Sequence, residues 1–200
     1  MIEILYQQTG YFAQGFATNL LISILSMSFG TILGAALGWV RARRVTALGP
    51  LSHFGTNVCR NVPSFVLLFY MASMIPSEVE VGGAIMTVPL WIKATLALTF
   101  PVIGFTSDQS KGYFEQRRAG VTGAGEIFTI AWLQYFLIII MASATASVIG
   151  ADEIVGRANI VISQNESAQF LLVTYLYVSL WFLVTGLIFS TIVKILAKAR

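Results

Sequence analysis

Long charge-free stretches constrain this chain more than any other feature. Phe16 to Val40, Ile127 to Gly150 and Gln169 to Val193 each run without a single Asp, Glu, Lys or Arg. The hydrocarbon core of a bilayer takes about 20 helical residues, at about 1.5 Å of rise each, and every one of these runs is long enough. Two further apolar runs complete the reading: one carries Pro63 and an aromatic, Met-rich body, and the other begins after Pro89. The expected spans are therefore about 16–40, 56–76, 90–107, 127–150 and 169–194, in an all-α integral membrane protein. Composition agrees, since 56% of the 200 residues are hydrophobic and only 10% charged, against about 25% charged in soluble domains. So much apolar surface has no place to hide in a soluble fold of this size.

Orientation follows from Lys and Arg, which favour the cytoplasmic side. With the N-terminus outside, the inner segments hold Arg41, Arg43 and Arg44, then Lys111, Arg117 and Arg118, then Lys194, Lys198 and Arg200. The outer segments hold Arg157 among Glu3, Glu78, Glu80, Asp152, Glu153 and Glu166. The chain is predicted N-out and C-in. Residues 1–15 lack the basic start and short apolar core of a cleavable signal, so the first span is expected to be a retained anchor. No linker, repeat or low-complexity stretch divides residues 1–200, which read as one transmembrane domain with a cytoplasmic loop at 108–126.

Several local features carry two readings each. Gly30, Gly34 and Gly38 form a small-residue face on the first span, suited to close helix packing within the chain or between subunits. The loop Lys111-Gly-Tyr-Phe-Glu-Gln-Arg-Arg-Ala-Gly120 reads as a short amphipathic helix closed by Gly120, lying on the membrane or docking into a partner. Residues 78–89 read as an outer loop or surface helix. Lys93, beside Trp91, reads as an interfacial anchor snorkelling outward, with a substrate-facing charge as the sharper alternative. The lone His53 reads as an interfacial side chain, and Asn165-Glu-Ser167 fits a glycosylation sequon. A single cysteine, Cys59, excludes an internal disulfide and a cysteine metal site. No nucleotide-binding, metalloprotease or nucleophile motif occurs, no metal or cofactor is expected, and the basic residues form no nucleic-acid stripe.

In order along the chain, Gly15-Phe-Ala-Thr-Asn-Leu20 with Ser23, Ser26, Gly30, Gly34 and Arg41, then Arg60-Asn-Val-Pro63, then Ala146-Ser-Val-Ile-Gly150 with Glu153-Ile154, resembles the permease subunit of bacterial ABC importers for polar amino acids. The resemblance covers about residues 15–195. Lys111 to Glu115 and Gly120 resemble that family's Glu-Ala-Ala coupling loop in a shortened form, with Gln116 and Arg117 where the family has two alanines.

The resemblance implies a non-enzymatic transmembrane subunit of the bacterial inner membrane. Its implied partners are cytoplasmic ATPase subunits, a second permease (similar or identical) and an extracytoplasmic solute-binding protein, in a lipid bilayer. The transported solutes would be polar amino acids or related small polar compounds. It places the ATPase contact at Phe114, Glu115, Arg117, Arg118 and Gly120, and an outer docking surface at Asp152 and Glu153. Arg60, Thr99, Thr145 and Ser147 are the polar candidates for lining the pathway, with a hydrogen bond inside the chain as the alternative for each hydroxyl. Two other functions fit the residues: a homo-oligomeric channel or passive carrier packed through the Gly30 face, and a non-transporting membrane scaffold.

Overall fold

The structure is a computed structural model describing residues 1–43, 48–165 and 167–198; Arg44, Glu166 and Arg200 of the sequence reading lie outside them. Short α1 (Ile2–Gln7) leads into α2 (Thr9–Ala42), followed by α3 (Gly49–Asn61), α4 (Ser64–Met74), strands β1 (Glu78–Val81) and β2 (Ala84–Thr87), α5 (Leu90–Arg118), α6 (Ala124–Ser143), a 3-10 segment (Ala144–Ile149), α7 (Ile154–Ser163) and α8 (Ala168–Lys198). Four helical stretches, Thr9–Ala42, Leu90–Arg118, Ala124–Ile149 and Ala168–Ile195, are long and apolar enough to cross a membrane. The chain is a multi-pass membrane protein.

The remaining expected span, 56–76, is not one helix. Pro63 lacks an N–H and pushes the residue before it out of the helical region. Val62 and Pro63 are accordingly both extended, at ψ 123° and 126°. Helix α4 has 11 residues, about 16 Å at about 1.5 Å per residue, roughly half a bilayer core. Together α3 and α4 still return the chain along the bundle, because Gly104 of α5 lies against the backbone of Arg60 while Lys93 reaches Ala72 and Ile75.

Residues 78–89 also differ from expectation. They contain an antiparallel hairpin with Val79 opposite Met86 and Glu80 opposite Ile85. Gly82 and Gly83 both have positive φ, 60° and 83°, the backbone that a tight two-residue hairpin turn demands. A two-stranded element therefore joins the otherwise helical fold.

The tightest packing joins α2 to α5. A Cβ on Gly34 would stand 2.6 Å from the Ile103 carbonyl oxygen, and one on Gly38 would stand 2.6 Å from that of Ser107. A Cβ on Gly30 would meet the Val102 side chain at 2.5 Å. The glycine face thus serves packing within the chain. Because rising positions on α2 meet rising positions on α5, the two helices run in the same direction. Helix α6 runs against them, placing Ser143 beside Asn19 and Trp132 beside Thr31. Helix α8 again runs with α2, as the Phe12–Tyr177 and Phe16–Trp181 ring contacts show. The bundle therefore has two distinct ends, one gathering arginines and one built around Glu153.

Candidate functional site

At the arginine end, α5 does not stop where its apolar part stops. It continues unbroken through Asp108 and Tyr113 to Arg118, so the expected separate loop helix is the last turns of a long helix. A left-handed Gly120 (φ 76°) closes it. The Gly120 N–H donates to Arg117 O and the Val121 N–H to Gln116 O, the paired pattern that satisfies the last carbonyls of a helix. Gly123, also left-handed at φ 82°, opens α6.

Asp108, which the sequence reading passed over, organises this end. Its carboxylate accepts from Arg41 Nη1 at 2.8 Å and from Arg60 Nη1 at 3.0 Å. Arg41 also donates to Ser107 Oγ, which lies 2.8 Å from Thr56 Oγ1. One acid thereby ties α2 and α3 to α5. A signal for it exists: Asp108 is the only acidic residue between Glu80 and Glu115, and two arginines stand at neighbouring helix ends.

The residues expected to meet an ATPase lie on different sides of the α5 tail. Glu115 is exposed and lies 3.8 Å from Lys111. Arg117 donates to the Tyr113 hydroxyl, whose ring contacts Phe114 and Phe128. Arg118 donates to Ala42 O, the last turn of α2, where a cation answers the negative helix end. Phe114 is half-buried and faces the gap toward α2 with both arginines.

The other end is closed. Glu153 is fully buried and caps α7, accepting from Val155 N at 3.0 Å and Gly156 N at 2.8 Å. Asn19, in mid-α2, donates to Glu153 Oε2 and to Ser143 Oγ, both at 2.9 Å, and accepts from Ile154 N. Burial pushes the Glu153 carboxyl above the ordinary carboxylate range, while these N–H donors pull it back. Gly15 permits the approach, since a Cβ there would lie 2.8 Å from Ile154 Cα. Glu153 is thus a structural cap inside the molecule and not part of an outer surface. Asp152 differs. It forms a bidentate pair with Arg157 at 2.8 Å for both bonds and keeps a side chain 66% exposed. Arg157 also donates to Tyr11 O and Gln14 Oε1, and Asp152 raises its already high pKa.

None of the four pathway candidates is hydrogen-bonded to another among the described residues. Thr99 donates to Thr95 O, Thr145 to Ala142 O and Ser147 to Ala144 O, each satisfied by a carbonyl three or four residues earlier in the chain. Arg60 is held by Asp108. Lys93 does not snorkel: it is 1% exposed and donates to Ala72 O at 3.2 Å and Ile75 O at 2.7 Å, capping the end of α4. No group of three metal-ligating side chains stands together among the described residues.

No family model matches the sequence, and no curated protein matches it. Solved structures do resemble it. A chain in the crystal structure of an amino acid ABC transporter with histidines superposes with a TM-score of 0.78 at 18% identity, covering 98% of this chain and 97% of that one. A chain of the MetNI methionine ABC transporter, in inward-facing conformations, gives a TM-score of 0.64 at 17% identity, with 95% and 98% covered. At these identities the likeness is one of fold, and over nearly its whole length this chain is built as chains of two ABC transporters are built.

Proposed function

We propose that this protein is a permease subunit of an ATP-driven importer, forming part of the translocation pathway for polar amino acids or related small polar solutes. The observation that carries this reading is the end-to-end likeness in fold to a chain of an amino acid ABC transporter. In this reading residues 1–200 form one transmembrane domain that crosses the bacterial inner membrane five times, N-out and C-in, with α3 and α4 making one crossing between them. The ATPase subunits dock at the arginine end, against Glu115 to Gly120, with Arg117 and Arg118 meeting their carboxylates and Phe114 backing the contact. A second permease completes the pore, and a solute-binding protein approaches the other end near Asp152.

The long α5 gives this arrangement its mechanical logic. A push on Glu115 travels along one helix to Thr99 and Lys93, passing Pro101, whose missing N–H leaves one helical bond unmade on the way. Asp108 carries the same push sideways to α2 and α3. Purification of the tagged chain in mild detergent from its native host tests the proposal. An ATPase subunit is expected to co-purify, and Glu115→Arg is expected to release it while the chain still elutes as a folded species. Recovery of the chain only with itself overturns the importer reading.

A further inference from the structure

Between the last turns of α2 and α5 lies a cavity of about 310 Å³ lined by Trp39, Ala42, Arg43, Phe114, Arg117 and Arg118. Three guanidinium groups border it. Arg43 stacks on the Trp39 ring at 4.0 Å, Arg118 donates to Ala42 O and Arg117 to the Tyr113 hydroxyl. A guanidinium carries five N–H donors, so these contacts leave most of the donors unused. None of the three pairs with a carboxylate among the described residues, whereas nearby Arg41 and Arg60 share Asp108, and Glu115 pairs with Lys111. The cavity is therefore locally positive and suited to a compact anion with several oxygen acceptors, as a phosphate group is.

The surroundings say where that phosphate comes from. Phe29, Ile32, Ala36 and Trp39 are exposed on α2 at helical spacing and lead directly to exposed Arg43. This stripe belongs to a helix long and apolar enough to cross a membrane. A soluble anion has no use for an apolar track, but an acyl chain does. A Trp at the boundary and a basic pocket between helix ends are what a lipid headgroup meets.

We infer that this cavity binds the phosphate of an anionic phospholipid, with an acyl chain laid along the Phe29–Trp39 stripe. The inference rests on α2 lying in the membrane and does not require the importer assignment. With five donors each, exposed Arg117 and Arg118 hold the phosphate on their cavity side and leave donors for an ATPase carboxylate on the other, while Arg43 serves the cavity alone.

The test is native mass spectrometry of the full chain, with whatever subunits remain bound. The detergent is doped with phosphatidylglycerol or phosphatidylcholine of identical acyl chains. Phosphatidylglycerol is expected to be retained preferentially, and Arg43→Gln to weaken that retention about five-fold, with Arg117→Gln acting in the same direction. Arg60→Gln removes the same charge from the same end but outside the cavity, and is expected to leave retention unchanged. Equal retention of the two lipids overturns the inference, as does an Arg60→Gln loss as large as that of Arg43→Gln. Displacement of phosphatidylglycerol by millimolar inorganic phosphate also overturns it, by assigning the cavity to a free anion. The readout contains no ATPase activity, so failure here and failure of the importer reading are separable.

Discussion

At the Glu153 end, a carboxylate, an amide and a hydroxyl are sealed between α2, α6 and α7, and every bond they make stays inside the chain. At the arginine end the bonds are as short, but Asp108 is one-third exposed, Arg60 is more than half exposed and Arg41 alone is sunk into the bundle. The same bond lengths thus have different worth. A buried polar network is costly to break because any partner left behind loses water as well as its bond, whereas exposed ion pairs exchange readily with solvent. The sealed end holds elements together. The open end joins them through bonds that solvent can replace.

The largest effect that would test this contrast comes from Glu153→Ala, which strips acceptors from Val155 N, Gly156 N and the Asn19 amide. A loss of about 3 kcal/mol or more is expected, read as a lower midpoint in thermal unfolding in detergent. A loss under about 1 kcal/mol would mean the network is not sealed. Gly34→Ala comes next, because its Cβ meets backbone at Ile103 and side chain at Thr106. About 2 kcal/mol is expected from that overpacking, by the same measurement. Asp108→Asn should cost about 1–2 kcal/mol, most of it from Arg41, whose buried guanidinium loses its carboxylate. Arg60→Gln should cost less than about 0.5 kcal/mol, as for other exposed pairs. If unfolding midpoints place Arg60→Gln level with Asp108→Asn, the arginine end is as closed as the other and the contrast fails.

Much of this fold is legible in the residues because hydropathy and length decide it. The starts of α5 and α8 follow from Pro89 and from an apolar run, and the break in the second run follows from Pro63, but α2 begins at Thr9, ahead of the run expected to start at residue 16. The hairpin was legible too, since Glu78-Val-Glu-Val alternates before Gly82-Gly83, but an apolar context masked a short strand signal. Helix α7 escaped because its ten residues are too few for a span and its capping group looked like a surface acid. Asp152 and Glu153 are adjacent and chemically alike, yet one faces outward and the other is fully enclosed. Only the path of α7 against Gly15 separates them, and that is a tertiary fact. Lys93 taught the same lesson: a lysine near a span end reads as snorkelling until the carbonyls of a neighbouring short helix come within reach.

The bond from Lys93 to the end of α4 has a mechanical corollary. Sliding α4 along α5 would drag an ammonium group away from its two carbonyls and leave it stranded among apolar side chains. At the opposite end of α4, Val62 and Pro63 form a joint with no helical hydrogen bond running through it. Pinned at one tip by Lys93 and seated through buried Leu67 and Leu68 against Ala94, Ala97 and Leu98, the half-length helix belongs mechanically to α5, and the Val62–Pro63 joint is where it can bend away from α3.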